Sequence, residues 1–124
     1  MKELTITIDH LPYPELMPNR ARQLHWAMRS KASAVARYEA KVEALRCMGR
    51  WEVPEKATVF YRFTVKDKRK RDLDNLISAC KPSLDGLVDA EVILSDDGWY
   101  LSISGAEIVK GDKAKTELII RGIE

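Results

Sequence analysis

Six side chains between Asp72 and Asp97 have the types and spacing for chemistry on a phosphate. Asp72 and Asp74 stand two apart at the end of a basic run, Lys81 and Asp85 follow, and Asp96 and Asp97 are adjacent. A hard divalent cation such as Mg²⁺ takes oxygen donors, only a few of them carboxylates, and keeps several waters. In extended backbone, side chains at i and i+2 project to the same side, so Asp72 and Asp74 offer two such donors. Upstream, Lys66, Lys68, Arg69, Lys70 and Arg71 surround a single acid, Asp67, and would draw in polyanions. Each feature alone has a plainer account. Asp is a favoured helix N-cap, a job Asn75 could share; loop acids are usually solvated; an isolated Lys81 reads as an exposed helix lysine. The combination says more. A chain that leaves a strand, makes a helix and returns can bring Asp97 beside Asp74, and three convergent carboxylates repel without a cation.

The elements that would hold these residues follow from periodicity. Lys2–Asp9 alternates apolar and polar with Leu4, Ile6 and Ile8 on one side, which predicts a strand. Pro12, Pro14 and Pro18 predict an extended loop over residues 10–19, long enough to cover a site. From Leu24 to Met48, Leu24, Met28, Val35, Tyr38, Val42 and Leu45 recur at threes, fours and sevens and predict a helix with that apolar face, stopped near Gly49. Ala57–Val65 alternates again, with Val59, Tyr61, Phe63 and Val65 on one side, and predicts a strand that delivers the basic run. A helical segment over Leu73–Val88 contains Pro82, which must kink it or split it near Cys80 with Pro82 in a new first turn. On one continuous helix Lys81 would share a face with Asp74, seven residues back. Trp99–Val109, bulged at Gly105, and Lys115–Arg121 predict the last strands. The order β-α-β-α-β-β implies an α+β domain spanning residues 1–124, a small mixed sheet packed with two helices.

Composition narrows the class. No apolar run approaches the roughly 20 residues that span a bilayer, and the N-terminus lacks a secretory apolar block, so a cytoplasmic protein without a membrane partner is expected. Cys47 and Cys80 form no C-x-x-C pair, which argues against zinc and for reduced packing residues. Net charge is only +2, yet the basic residues cluster over residues 66–71 and again at Arg20, Arg22, Arg29, Lys31 and Arg37. The second cluster sits near a helix start, where the dipole favours anions, so it serves either a phosphate or a solvated face. His25, just before Trp26 at a helix start, could contact DNA or cap the loop, but His10 and His25 are both expected to be structural or solvent-facing. For Trp26, Trp51 and Trp99 core packing is the expectation.

The run Arg69-Lys70-Arg71-Asp72-Leu73-Asp74-Asn75-Leu76, then Lys81-x-x-x-Asp85-Gly86-Leu87, then Asp96-Asp97, resembles the signature of the RusA-type Holliday junction resolvases, small endonucleases often encoded by prophages. The proline-rich loop ending in Asn19-Arg20 agrees with that resemblance. It implies a homodimer that binds four-way DNA junctions in recombination and repair and cuts symmetric strands with Mg²⁺, or Mn²⁺ in its place. Asp72, Asp74 and Asp97 match the metal-binding acids, and Asp96 the neighbouring acid. Catalysis would then rest on Asp72, Asp74, Lys81 and Asp97, with DNA held by Lys68, Arg69, Lys70, Arg71 and Arg20. One departure stands out. The family lysine falls four residues after the second acid, where this chain has Ser78. Either Ser78 replaces it, or one added helical turn puts Lys81 in its place and restores the spacing to Asp85. The first alternative leads to a junction-binding module without activity. Another Mg²⁺-dependent phosphohydrolase, and a structural protein whose acids are caps, are the remaining readings.

Overall fold

The structure, a computed structural model, describes residues 2–21 and 25–123, with the side chains of Arg20 and Ala21 outside that description. Arg20 as a DNA contact and Leu24 as a helix residue therefore fall outside the described side chains. Strand β1 (Glu3–Ile8) leads through a 3-10 turn (Pro14–Leu16) and a short helix α1 (Pro18–Ala21) to the long helix α2 (Trp26–Cys47). Strand β2 (Lys56–Val65), helices α3 (Leu73–Ala79) and α4 (Lys81–Asp89), and strands β3 (Leu101–Lys110) and β4 (Lys115–Ile123) complete it. This is the expected α+β architecture. The proline loop is less extended than its sequence suggests, because Pro14 and Pro18 each open a helical turn, where a missing N–H costs nothing.

The sheet order is β1-β4-β2-β3, with β4 antiparallel to β1 and β2, and β2 parallel to β3. A parallel pair needs a crossover, which α3 and α4 supply. Ala57 pairs with Leu101 and Val65 with Lys110. The chain therefore leaves β2 at one end of the sheet and enters β3 at the other. Val59, Tyr61, Phe63 and Val65 are buried as the alternation predicts, the first three in one core with Ile6, Leu118 and Ile120 from the neighbouring strands. The bulge near Gly105 is present: Val59 pairs with Ile103 and Phe60 with Gly105, leaving Ser104 as the extra residue. A Cβ on Gly105 would sit 2.9 Å from the Phe60 ring, which explains glycine there.

Three expectations about packing are overturned. Helix α2 turns Ala32, Ala36, Ala40 and Ala44 inward, while Met28, Val35, Tyr38 and Leu45 are exposed. The reason is the closeness of α4. A Cβ on Gly86 would collide with the Arg37 carbonyl and meet Ala40 Cβ at 3.0 Å, so only small residues fit between the helices. Of the tryptophans, Trp51 is half-buried and donates its indole N–H to the Val92 carbonyl at 2.9 Å, but Trp26 and Trp99 are 67% and 81% exposed. Cys80 is buried as expected, whereas Cys47 is exposed; both are free thiols.

Candidate functional site

The basic loop begins where β2 ends, and Asp67 shapes it. Its carboxylate accepts the Arg69 backbone N–H at 3.0 Å and the Arg69 Nε at 3.2 Å, and pairs with Arg71 at 3.1 Å. These contacts, the backbone N–H first, hold the Asp67 carboxyl below its ordinary range. Arg71 also donates to the carbonyls of Asp67 and Arg69, at 3.1 and 3.2 Å. Its side chain is only 16% exposed, so this guanidinium is occupied in folding the loop. Lys66, Lys68 and Lys70 are exposed and form no salt bridge among the described residues. The sequence distinguishes these cations poorly, because only the turn made around Asp67 separates the inward arginine from the outward lysines.

Asp72 takes the N-cap position of α3 with extended φ and ψ of −85° and 116°, but its side chain makes no capping bond. Its carboxylate instead accepts Asn75 Nδ2 at 3.4 Å. Asp74 lies exposed in the first turn. At Cys80 the helix breaks, because Pro82 lacks the N–H that a continuous helix would need and sits instead in the first turn of α4. Asp74 and Lys81 thus sit on separate helices, and the shared face expected of one helix does not exist.

Lys81 opens α4 and donates Nζ to Asp85 Oδ1 at 2.8 Å and to Asp96. Hydrogen bonding to Asp85 first, and to Asp96, raises the lysine above its ordinary range, and Lys81 in turn depresses the Asp96 carboxyl. The lysine side chain is 61% exposed, so an incoming anion can reach it while the two carboxylates hold it in place. Arg37, from the second basic cluster, is committed elsewhere: Nε and a terminal nitrogen bond Asp89 at 2.6 and 2.8 Å, tying α2 to α4.

The loop that carries Asp96 and Asp97 is anchored from below and turned from within. Val92 and Ile93 are buried in the core, and Glu91 before them adopts a φ of 63°. Asp97 donates its N–H to Ser95 Oγ at 3.0 Å, and its carboxylate accepts the Trp99 N–H at 2.8 Å. The Asp97 carbonyl receives the N–H groups of Tyr100 and Leu101, both at 2.9 Å. Asp97 therefore organises the entry into β3. Asp96, one residue earlier, faces Lys81.

The donor set proposed for a cation, Asp72, Asp74, Asp96 and Asp97, is entirely carboxylate oxygen, the chemistry a hard cation takes. Its gathering is another matter. Among the described residues no group of three or more His, Cys, Asp or Glu side chains is placed to hold a metal ion.

A further polar cluster, unremarked by sequence periodicity, straps the proline segment to α2. His10 Nε2 lies 3.0 Å from Glu39 Oε2, Nδ1 lies 2.7 Å from the Leu11 carbonyl, and Tyr13 donates its hydroxyl to Glu39 at 2.5 Å. His10 and Tyr13 also stack, with ring centroids 4.6 Å apart. Burial and the Glu39 carboxylate push the Tyr13 phenol up to about 12. His25 caps α2, its Nδ1 accepting the Ala27 N–H at 3.2 Å. No helix is long and apolar enough to cross a membrane among the described residues. Comparison with protein-family models and with curated proteins gives no match to this chain.

Proposed function

We propose that this protein is a structure-selective endodeoxyribonuclease that hydrolyses phosphodiesters at four-way DNA junctions, acting as a homodimer in recombination and repair within the cytoplasm. The observation that carries the reading is the contact between Lys81 and Asp96, next to Asp97. It ties the lysine three residues beyond Ser78 to the acid pair of the RusA-type signature, and so favours Lys81 over Ser78 as the family lysine. Held by Asp85 and Asp96 yet open to solvent, its ammonium can meet a phosphate and offset charge that develops on it. Lys68 and Lys70, free of carboxylate partners among the described residues, hold flanking phosphates, which gives affinity without reading sequence. A Mg²⁺ ion is implied by the resemblance, with Asp72, Asp74 and Asp97 as its holders; when bound it would supply Lewis acidity at the phosphate. A dimer with two-fold symmetry would match two symmetric cuts.

The engagement of Lys81 by two carboxylates also favours a second reading, a junction-binding module that does not cut. One experiment separates the two. A labelled four-way junction, a matched duplex and a flap are incubated with and without Mg²⁺. The nuclease reading expects Mg²⁺-dependent paired cuts on the junction, abolished in Asp74→Asn with junction binding retained. Full cleavage by Asp74→Asn would refute the assignment of that acid, and binding without cleavage under all conditions would leave the second reading standing.

A further inference from the structure

The outer face of α2 carries an apolar stripe that its own core does not use. Met28, Val35 and Val42 recur at sevens, and Lys31, Tyr38 and Leu45 recur at sevens between them. This alternation of threes and fours is the seam of a two-stranded coiled coil, sustained over a 22-residue helix about 33 Å long. Met28 is 52% exposed, Val35 41%, Tyr38 68% and Leu45 54%. The inward face is the alanine stripe packed on α4, so the seam has no partner within its own subunit among the described residues. Beside its first half runs an open groove lined by Tyr13, Glu15, Met28, Lys31, Ala32 and Val35. A contiguous apolar strip of this kind, rimmed by polar residues, marks an interaction surface.

We infer that this seam is the dimer interface, taking α2 of a second copy in antiparallel orientation about a two-fold axis that crosses between Ala36 and Arg37. Self-complementarity selects a second copy, and charge sets its direction. A parallel, in-register pair would set Lys31 against Lys31 of the partner subunit in the seam, and Lys41 beside Arg46 of the partner subunit at its flank. The antiparallel pair removes both repulsions. It layers Met28 on Leu45 of the partner subunit, Val35 on Tyr38 of the partner subunit, and the Lys31 stem on Val42 of the partner subunit. The groove beside Met28 and Lys31 then receives the partner's Val42 and Leu45. The surface is self-complementary, as a two-fold interface must be. The second copy is the partner that the junction reading calls for, but the surface is argued from α2 alone. A dimer built elsewhere would sink this inference and leave that reading intact.

The test measures mass in solution by light scattering, then orientation by cross-linking in a Cys47→Ser background, which removes the exposed thiol. The expected result is a dimer at micromolar concentration that Val35→Glu or Leu45→Lys converts to a folded monomer with unchanged circular dichroism. Both positions are exposed in the subunit, so loss of folding is not expected to intervene. Mixed Met28→Cys and Leu45→Cys chains should form a disulfide-linked dimer in a glutathione buffer, while Met28→Cys alone should not. A monomeric parent, a dimer that persists in both charge variants, a dominant Met28→Cys homodimer, or mass gained only with an unrelated protein present would each overturn it.

Discussion

Gly86→Ala adds one methyl group at the point where α4 lies against α2, and the structure sets the size of its effect. The new Cβ would collide with the Arg37 carbonyl oxygen and meet Ala40 Cβ at 3.0 Å and the Lys41 nitrogen at 3.1 Å. Two of these three neighbours are backbone atoms of a hydrogen-bonded helix and cannot rotate away. Overpacking of this kind costs about 1–3 kcal/mol, and an immovable neighbour puts it near the upper end. Alanine in place of glycine within a helix returns about 1 kcal/mol. The net loss is therefore about 2 kcal/mol. For a domain of this size that lowers Tm by about 6–10 °C. Urea denaturation followed by circular dichroism measures it, with Gly98→Ala as control, since nothing lies within 4 Å of the added methyl there. The control should stay within about 0.5 kcal/mol of the parent. Because α4 carries Lys81 and Asp85, a displaced helix should also loosen the contact with Asp96. Equal or greater stability in Gly86→Ala would mean that helix propensity alone governs this site, and the close-approach reasoning would fail.

Other consequences are equally measurable. Lys81→Met should abolish junction cleavage while changing stability by less than about 1 kcal/mol, because the ammonium is largely exposed and water screens its pairs; Ser78→Ala should cut normally, and the opposite pattern would restore Ser78 to the family position. Lys68→Ala with Lys70→Ala should flatten the salt dependence of junction binding by about two phosphate contacts. Arg71→Ala, by contrast, should show its effect first in the loop, as faster proteolysis between residues 66 and 71, since its guanidinium serves Asp67 and two carbonyls. Burial opposes protonation of His10, but the Leu11 carbonyl and the Glu39 carboxylate outweigh it and raise the group above its ordinary 6.5. A raised pKa in the folded state means stability that is present in full below 6.5 and is lost as pH climbs through the folded value. His10→Asn should remove that dependence, which amounts to about 1 kcal/mol for a pair one-third exposed to screening water; a parent and variant that differ equally at pH 6 and pH 8 in urea titrations would contradict it.

How much of this was legible in the residues depends on the range over which each effect acts. Local steric and periodic effects were readable. Alternation in β2 named Val59, Tyr61, Phe63 and Val65 as the buried side, Pro82 announced the break after Cys80, and Gly105 announced the bulge. Each depends on the residue and its nearest neighbours along the chain. The inward face of α2 was not readable, because hydrophobicity alone favours Met28, Val35, Tyr38 and Leu45 over alanine. Only the approach of α4, fifty residues on, makes small side chains the ones that fit. The same holds for charge. The sequence shows where cations cluster, but Arg37 goes to Asp89, Arg71 to its own loop and Lys81 to Asp96, leaving Lys68 and Lys70 outward. A cation's role is set by which acid the fold carries within reach, and that distance is a property of the folded chain rather than of any stretch of it.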